Sequence, residues 1–460
     1  DDGIAYVHTY LKDEKYQMQY LCYTGVHCIA ESEDGFNWIK PELGLVKYNN
    51  STANNIVYKG PLYAGYSFED KSAPPSERFK MVGISSGMYF QERDGQWRLE
   101  GDDAVAVTGE SSFLELQEDQ RENYSGQWGQ LKGYLVGATS PDRLHWTDLE
   151  KPLLSEWVDG DNIVYYDPIT EQYVGYLRYH IAGRRCVGRS VSKDFRTFTP
   201  EQVILQTDSM DPPDTSFYNH AYTQYPNRTD LHLMFLSTWH QANDSFDIQL
   251  AVSHDGIQWD RPDRNTPIIP LDETTGIDSG IIYVGPGLIE LPNGKWAATY
   301  WSREDTHNMQ VPDGFNGTVR YAMWDKDRLC GIRALNDGSL TLRQDLHRNP
   351  EDCPDTITAP PNDIFPPLAN PNEAPRQLTL NYKTEPGGWV RVELIPVIGT
   401  IMHPQFTAIK GYSFEDCTPL TGNSTDEVVT WNGEDNIAGI SDTLAIRIRM
   451  FRATIFSFHL

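Results

Sequence analysis

A short phrase recurs four times in the chain: a serine, an aspartate two positions later, a turn, and an aromatic residue at the end. The copies occupy residues 32–38, 140–146, 192–198 and 253–259. A β-strand is predicted before each of the last three copies, and the aspartates and glycines supply turn chemistry. Strands that repeat in this way, without helices between them, indicate a β-propeller. The phrase therefore predicts an all-β repeat fold.

Each copy is interpreted as the hairpin that joins the third and fourth strands of a blade. The fourth strands of blades one to four are then predicted directly after it, at 36–40, 144–147, 197–199 and 257–260. The wide gap between the first two copies predicts an insertion at about residues 86–130 in blade two, with its own hairpin at Asp94. A degenerate phrase at 324–329 closes a fifth blade. The prediction is a five-bladed β-propeller over residues 1–335.

The composition changes after the propeller. Prolines concentrate before residue 376, so residues 336–375 are predicted to be an extended connector. Alternating apolar runs resume in residues 376–460 and fit a compact β-sandwich. The predicted fold class is thus all-β, a five-bladed β-propeller followed by a β-sandwich domain.

The overall charge restricts the partners that the chain is expected to bind. The net charge is −27, which repels nucleic acid and anionic membranes, so neither is an expected partner. The chain has no run of 18 apolar residues, so no membrane span is expected. The 25 Tyr, 17 Phe and 12 Trp suit β-sheets and surfaces on which sugars stack.

Cysteine and asparagine patterns favour a secreted, glycosylated protein. None of the six cysteines forms a Cys-x-x-Cys pair, which argues against zinc. Cys22 with Cys28, and Cys330 with Cys353, are candidate disulfide pairs. The glycosylation acceptor patterns are at Asn49, Asn50, Asn123, Asn227, Asn243, Asn316 and Asn423. The chain begins at Asp1 without a leader, so any leader is expected to have been removed or not included.

Acidic residues lead into the predicted inner strands of several blades, where a propeller opens its central channel. Asp159, Asp214 and Asp278 are the candidate catalytic residues. Glycoside hydrolysis needs one carboxyl to protonate the leaving oxygen and another to act as base or nucleophile. A lone aspartate before a strand is more often a turn residue, and the aspartates of the phrase itself are interpreted as structural.

Further side chains on or beside the inner strands are candidates for substrate binding. These are Asp161, Tyr218, Asn219, His220, Glu273, Tyr283, Arg178, Trp239 and His8. Packing in the protein interior accounts for several of them equally well, and a satisfied buried histidine is as good an interpretation of His8 and His220. No cofactor or catalytic metal is expected, and a structural ion such as calcium in the channel is left open as an alternative.

Four segments carry a family resemblance, namely 30–46, 159–168, 278–287 and 411–420. They resemble the superfamily of five-bladed β-propeller glycoside hydrolases, the invertase-like and arabinanase-like relatives with a C-terminal β-sandwich. The resemblance implies an active site with three acidic residues at the channel mouth. Asp159, Asp214 and Asp278 are the expected set, and which of them is acid and which base is open; the working assignment is Asp159 as base or nucleophile, Asp214 as acid and Asp278 as orienting carboxylate. The Asn-Asp-Pro-Asn, Arg-Asp-Pro and Glu-Cys motifs of invertases are absent from the sequence, so fructan hydrolysis is not expected.

The predicted function is a secreted glycoside hydrolase that cleaves terminal sugars from an oligo- or polysaccharide, with carbohydrate as its partner. An alternative is a propeller that binds glycans without catalysis. A third hypothesis is a sialidase-like hydrolase, because the sialidase Asp-box resembles the phrase and Arg184, Arg185 and Arg189 are close in sequence. Sialidases, however, have six blades. The sugar, the linkage and the stereochemical outcome are open at this stage.

Overall fold

The structure is a computed structural model of all 460 residues. It describes residues 3–22, 25–60, 62–85, 89–93, 96–100, 134–154, 158–226, 228, 230–264, 266–272, 274, 276–309, 317–343, 376–396, 407–438, 440 and 444–459. The chain divides into two compact units, Asp1–Met323 and Trp324–Leu460. Glu273, Cys353 and most of the predicted insertion and connector lie outside the described residues.

The first unit begins with three separate antiparallel sheets of four strands each. Blade one contains β1 (Ile4–Lys12), β2 (Lys15–Cys22), β3 (His27–Ser32) and β4 (Ile56–Tyr58). Blade two contains β5 (Leu62–Glu69), β6 (Phe79–Ser85), β9 (Leu135–Ser140) and β10 (Thr147–Asp148). Blade three contains β11 (Ile163–Asp167), β12 (Gln172–Ile181), β13 (Arg184–Ser192) and β14 (Gln202–Leu205).

One seven-stranded sheet follows and consists of two antiparallel groups. The first group is β15 (Thr215–Gln224), β16 (His232–His240) and β17 (Ser245–Ser253). The second is β18 (Ile281–Val284), β19 (Ile289–Glu290), β20 (Lys295–Arg303) and β21 (Thr318–Asp325). The groups meet where β17 and β18 pair in parallel at Phe246 and Ile281. The two groups correspond to the predicted blades four and five and are named so below, while the count of five blades stays a prediction.

The first strands of the blades form a closed circle. β1 contacts β5, and β5 contacts β11. The next blade is reached through β12, which contacts β15, and β15 contacts β18. Finally β18 contacts β1. Sheets that follow one another around such a circle form a propeller, so the prediction of an all-β propeller is confirmed.

Strands in the middle of the blades are apolar on both faces because each sheet packs against two neighbours. In β16 the consecutive residues Leu233, Met234, Phe235 and Leu236 are all buried. Alternation of apolar and polar residues is therefore weak there, as expected for a strand covered on both sides.

The phrase forms the same turn at each copy. The Asp255 carboxylate accepts the backbone N–H groups of Ile257 and Gln258, both at 2.8 Å, while Ser253 Oγ accepts the Gly256 N–H at 2.9 Å. The residue after the aspartate has positive φ in every copy, including Arg143 at 68° and Gly256 at 67°. The aspartates of the phrase are thus structural, as predicted.

The prediction that a fourth strand follows the phrase directly was wrong in detail. β4 begins only at Ile56, β10 begins at Thr147, and β14 begins at Gln202. In blade four the described residues after the phrase form two isolated bridges with β17, Asp260 with Val252 and Ile269 with Ile248. The physical reason is the turn itself, whose aspartate binds the N–H groups that a strand would use for pairing.

A two-stranded hairpin lies within the predicted insertion of blade two. It consists of β7 (Tyr89–Arg93) and β8 (Gln96–Glu100), on either side of position 94. A single 3₁₀ turn, Pro75–Glu77, precedes β6. Residues 101–133 of the insertion are outside the described part of the chain.

The second unit contains a four-stranded antiparallel sheet in the order β22, β25, β23, β24. Its strands are β22 (Ile332–Arg343), β23 (Thr379–Pro396), β24 (Asn423–Val428) and β25 (Leu444–His459). Its core includes Tyr382, Val392, Trp431 and Ile448. The long strand β22 crosses the predicted boundary at residue 335, because it pairs with β25 rather than with the propeller. The described residues show one sheet, so the β-sandwich stays a prediction.

Candidate functional site

The candidate site is centred on the Arg178 guanidinium, which two carboxylates hold where blade three meets the channel. Nη1 lies 2.7 Å from Asp159 Oδ2, and Nη2 lies 2.6 Å from Asp161 Oδ2. The side chains of Arg178 and Asp161 are each 2% exposed, whereas that of Asp159 is 31% exposed. Asp159 is therefore the member of this group that a ligand can reach.

The loop before β11 positions both carboxylates. Asn162 fastens it, because its Nδ2 donates to the Asp159 carbonyl at 2.6 Å and its Oδ1 accepts the Arg178 backbone N–H at 3.1 Å. Asp161 has a φ of 67°, in the left-handed region that a non-glycine residue rarely adopts. Strained backbone of this kind is concentrated at functional sites.

The environment separates the proton affinities of the two carboxyls. Burial raises the pKa of Asp161 to about 6, against the opposing effect of Arg178 and with the help of the Asp159 charge. Burial also acts to raise the pKa of Asp159, but the Arg178 charge and the Gly160 N–H outweigh it, and the net direction is downward. Near neutral pH Asp159 is thus ionised, and Asp161 titrates in the range just below.

Bulges on three inner strands accompany aromatic residues at this position. The regular pairing of β1, β5 and β15 is interrupted between Ala5 and His8, between Tyr63 and Tyr66, and between Phe217 and Asn219. Bulges re-aim side chains and are frequent beside active sites. The buried Tyr66 hydroxyl donates to Asp161 Oδ1 at 3.2 Å.

Tyr218 and Trp239 of blade four form an aromatic wall beside Arg178. The Arg178 guanidinium lies 4.1 Å from the Tyr218 ring centroid, within the range of a cation–π contact. Arg185 lies 4.5 Å from the same centroid and 4.9 Å from that of Trp239. The Tyr218 hydroxyl and His307 Nε2 are 2.8 Å apart, which ties blade four to the loop after β20.

The structure therefore brings six of the predicted residues together through contacts of their side chains. They are Asp159, Asp161, Arg178, Tyr218, Trp239 and Tyr283. Tyr283 stands 5.7 Å from the Tyr218 ring and stacks on Trp301 at 4.5 Å. Carboxylates, guanidinium groups and aromatic faces in one place are the groups with which proteins bind sugars and polar rings.

Two other predicted binding residues, His220 and Asn219, lie in the interior between blades. His220 Nε2 is 2.8 Å from the Tyr176 carbonyl, and burial lowers its pKa to about 4, so it is a neutral donor. Asn219 Nδ2 donates to the Val284 carbonyl at 3.4 Å. These two side chains join adjacent blades. His8 is half-buried on β1, and burial with the nearby Arg143 charge lowers its pKa to about 3. Glu273 lies outside the described residues.

The other two predicted catalytic residues have partners apart from the Arg178 cluster. Asp278 accepts hydrogen bonds from Tyr300 at 2.9 Å, Ser302 at 2.5 Å and Arg320 at 3.2 Å, all in blade five. Asp214 accepts the Ala242 N–H at 3.1 Å, at the turn after β16. In the described residues, the three aspartates predicted to form one active site therefore make their contacts with three separate sets of partners.

Sequence reasoning missed Arg185, His307 and Tyr6 as members of the site. Arg184 and Arg185 are consecutive residues of β13, so their side chains point in opposite directions. Arg185 lies against the aromatic wall, whereas Arg184 donates to the Pro213 carbonyl at 2.6 Å. His307 follows β20 in a loop with no pattern of its own. The Tyr6 φ of 50° was not predictable from its neighbours in the chain.

The described part of the chain contains no group of three or more His, Cys, Asp or Glu side chains placed to hold a metal ion. None of the helices described there has the length and apolar character that a membrane crossing requires.

Comparisons with known proteins add similarity at a low level. No protein-family model and no curated protein matches the chain. A solved structure described as a glycoside hydrolase has a TM-score of 0.45 and 13% identity, covering 70% of this chain and 88% of that one. The Bombyx mori GH32 beta-fructofuranosidase has a TM-score of 0.40 and 10% identity, covering 98% and 91%. An endo-1,4-beta-xylanase from Bacteroides thetaiotaomicron has 0.41 and 11%, covering 70% and 95%. These values do not assign the chain to a family.

Proposed function

We propose that this protein is a glycoside hydrolase whose active site is the channel mouth around Arg178. The observation that carries the proposal is the pair of carboxylates on one buried guanidinium, with the pKa of Asp159 lowered and that of Asp161 raised to about 6. An ionised carboxylate that a ligand can reach is the group that glycoside hydrolysis needs as base or nucleophile, and the buried Asp161 and Arg178 hold Asp159 in place for that role. The accessible aromatic wall of Tyr218 and Trp239 offers a face on which a sugar ring stacks.

Each carboxyl has a separate role in this proposal. Asp159 is the nucleophile or base, because it is ionised and is the exposed member of the cluster. Asp161 is a positioning residue, since it is buried and acts on Asp159 through Arg178. The acid is Asp214, which precedes inner strand β15 just as Asp159 precedes β11. Asp278 is a structural residue of blade five, which revises the role that the family resemblance implies.

Screening against aryl glycosides and polysaccharides tests the proposal. We expect wild-type protein to release sugar and Asp159→Asn to lose at least about a thousandfold in kcat/KM. Asp194→Asn, in the turn of the third phrase, is the matched control for a change of aspartate elsewhere in blade three. A protein that binds glycans but never hydrolyses them would instead be the non-catalytic propeller.

The dependence on the leaving group tests the acid. Loss of a proton donor slows cleavage of a poor leaving group more than that of an activated one. Asp214→Ala is therefore expected to lower kcat by about a hundredfold or more on an alkyl glycoside, and much less on a dinitrophenyl glycoside. Equal losses on both substrates would remove Asp214 from this role.

We also propose that the protein is secreted and acts on carbohydrate outside the cell. The acceptor asparagines Asn49, Asn50, Asn243 and Asn423 are exposed, as glycosylation requires. Cys22 Sγ and Cys28 Sγ lie 3.6 Å apart, which suits a bond formed in an oxidising compartment. The net charge of −27 supports the absence of nucleic acid and anionic membranes among its partners.

A further inference from the structure

Among the described residues, Arg185 differs from its neighbour Arg178 in having no carboxylate partner. Arg178 is bound by two aspartates at 2.7 and 2.6 Å. Arg185 forms no ion pair with a carboxylate of the described part of the chain, and its buried Nε meets no hydrogen-bond acceptor there. Arg185 thus retains a capacity to donate hydrogen bonds that the described residues do not use.

Aromatic rings fix this guanidinium in place. Arg185 lies against both Tyr218 and Trp239, the two rings of the proposed sugar-stacking wall. Trp239 is itself held, because its Nε1 donates to Asp244 Oδ1 at 3.1 Å. A guanidinium stacked on fixed rings is held in position for binding and loses little further freedom when a ligand arrives.

Above the pKa of Asp161 the two positive charges of Arg178 and Arg185 are balanced by the two negative charges of Asp159 and Asp161. Burial and the Arg185 charge lower the pKa of His180 to about 4, and the same two causes lower that of His307, so both rings are neutral near pH 7. Asp159 is the nearest negative charge acting on Arg185, and it is already bound to Arg178. When Asp161 holds its proton, the group of Arg178, Arg185, Asp159 and Asp161 carries a net positive charge.

We propose that Arg185 binds the anionic substituent of an acidic sugar, so that the substrate is a glycoside with a carboxylate or a sulfate ester. A planar guanidinium with free donors pairs with such groups in a bidentate manner. This inference rests on the proposed function, because it takes the bound sugar to be a substrate. Binding of the anion by Arg185 can nevertheless be tested without hydrolysis. Binding of an anion would explain why the Arg185 guanidinium is kept at this position in a chain with a net charge of −27.

Paired substrates give the kinetic test. Nitrophenyl glucuronide and galacturonide are compared with the corresponding glucoside and galactoside, and a galactoside 6-sulfate forms a third arm. Arg185→Met is expected to reduce kcat/KM on the acidic substrates about thirtyfold more than on their neutral counterparts. Arg185→Lys, which keeps a point charge, is expected to fall between. Arg184→Met is the matched control, because Arg184 is exposed and donates to the Pro213 carbonyl.

Preference for uronides over the sulfated galactoside identifies the carboxylate as the ligand, and the reverse identifies the sulfate. Either result supports an anion site. Equal losses on acidic and neutral substrates in Arg185→Met, or a wild-type preference for neutral sugars, would overturn it.

Calorimetry separates failure of this inference from failure of the proposed function. Glucuronate, galacturonate and galactose 6-sulfate are titrated into wild-type and Arg185→Met protein, with glucose and galactose as neutral probes. Binding of an acidic probe that weakens at high salt and is lost in Arg185→Met supports the anion site, even if no glycoside is hydrolysed. Hydrolysis of neutral glycosides without any binding of the three acidic probes would support the proposed function and refute the anion site.

Discussion

Asp161 is the residue whose protonation links the candidate site to the stability of the protein. Its pKa is raised by burial to about 6, so the folded state holds a proton that the unfolded chain has already released. For such an acid, stability is greatest at low pH and falls as pH rises through the folded pKa. Its left-handed backbone and the burial of its carboxylate both lower stability, and a residue with a purely structural role would require neither.

Asp161→Asn is predicted to remove this pH dependence. Relative to wild type, the variant should gain about 2 kcal/mol in free energy of unfolding between about pH 4.5 and 7. Urea unfolding at several pH values measures the difference. Asp194→Asn is the control, because the lowered pKa of Asp194 keeps it ionised across that range. A constant difference between Asp161→Asn and wild type would show that Asp161 is ionised throughout.

Single residues also show how much of the candidate site can be predicted from the sequence. Asp159, Asp161 and Arg178 were predictable, because they surround the start of an inner strand and propellers place sites there. Asp278 precedes β18 in a similar pattern but faces Tyr300 and Ser302. Tyr283 and Trp301 stack on the other side of the same strands. Which side an aspartate takes after a turn depends on packing between blades, and the local sequence does not encode it.

At the scale of elements, the repeated turn and the contacts between blades have separate functions. The turn satisfies backbone N–H groups at the outer edge of a sheet, and its serine and aspartate are readable in the sequence. Contacts between blades involve buried side chains far apart in the chain, and no repeat indicates them. The fourth strands were predicted too close to the phrase, because the aspartate of the turn binds the backbone N–H groups that strand pairing would need.

Asp255→Ala is predicted to destabilise the propeller without affecting the site. The change removes the acceptor of two backbone hydrogen bonds at 2.8 Å, and a loss of about 1 kcal/mol is expected. Thermal unfolding measures it, while kcat and KM on any substrate found should be those of wild type. A selective loss of activity at unchanged melting temperature would assign the phrase a functional role.

A buried ion pair within blade two, which blade three contacts through a hydrogen bond, supports a larger prediction. Lys80 Nζ lies 3.0 Å from Asp70 Oδ2, with side chains 1% and 0% exposed. The Tyr173 hydroxyl of blade three donates to the same oxygen at 2.5 Å. Asp70→Asn leaves the buried lysine uncompensated and should cost about 3–5 kcal/mol of stability.

The exposed pair of Arg264 and Asp208 is the control for this change, with 37% and 46% of the side chains exposed. Asp208→Asn should leave the urea midpoint of unfolding unchanged. The double variant Lys80→Met with Asp70→Leu should recover most of the stability lost in Asp70→Asn. Equal midpoints for Asp70→Asn and Asp208→Asn would contradict a structural role for the buried pair.

For the whole molecule, the sequence predicted the all-β propeller and the presence of a second unit. Repetition supplied the first, and the change in composition before residue 376 supplied the second. The exact boundary was not predictable, because β22 continues the spacing of the blades yet pairs with β25. Pairing between segments that are distant in the chain decides which unit a strand joins.

The proposed secretion predicts a disulfide between Cys22 and Cys28. The two sulfur atoms are 3.6 Å apart at the end of β2 and the start of β3. In protein made in an oxidising compartment, the peptides that carry Cys22 and Cys28 should lose about 2 Da relative to their reduced form, and neither thiol should be available for maleimide labelling under denaturing conditions. The buried Cys186 and Cys417 are the reference thiols and should label. Labelling of all four would argue against the bond.

Chemical rescue of Asp159→Ala tests the central claim, that the channel mouth around Arg178 is a glycosidase active site. With an activated aryl glycoside, the variant should lose at least about a thousandfold in kcat/KM, and added azide should restore at least about tenfold of it as a glycosyl azide forms. Asp278→Ala under the same conditions should show no rescue. An Asp159→Ala protein that keeps more than about a tenth of wild-type kcat/KM would contradict the claim.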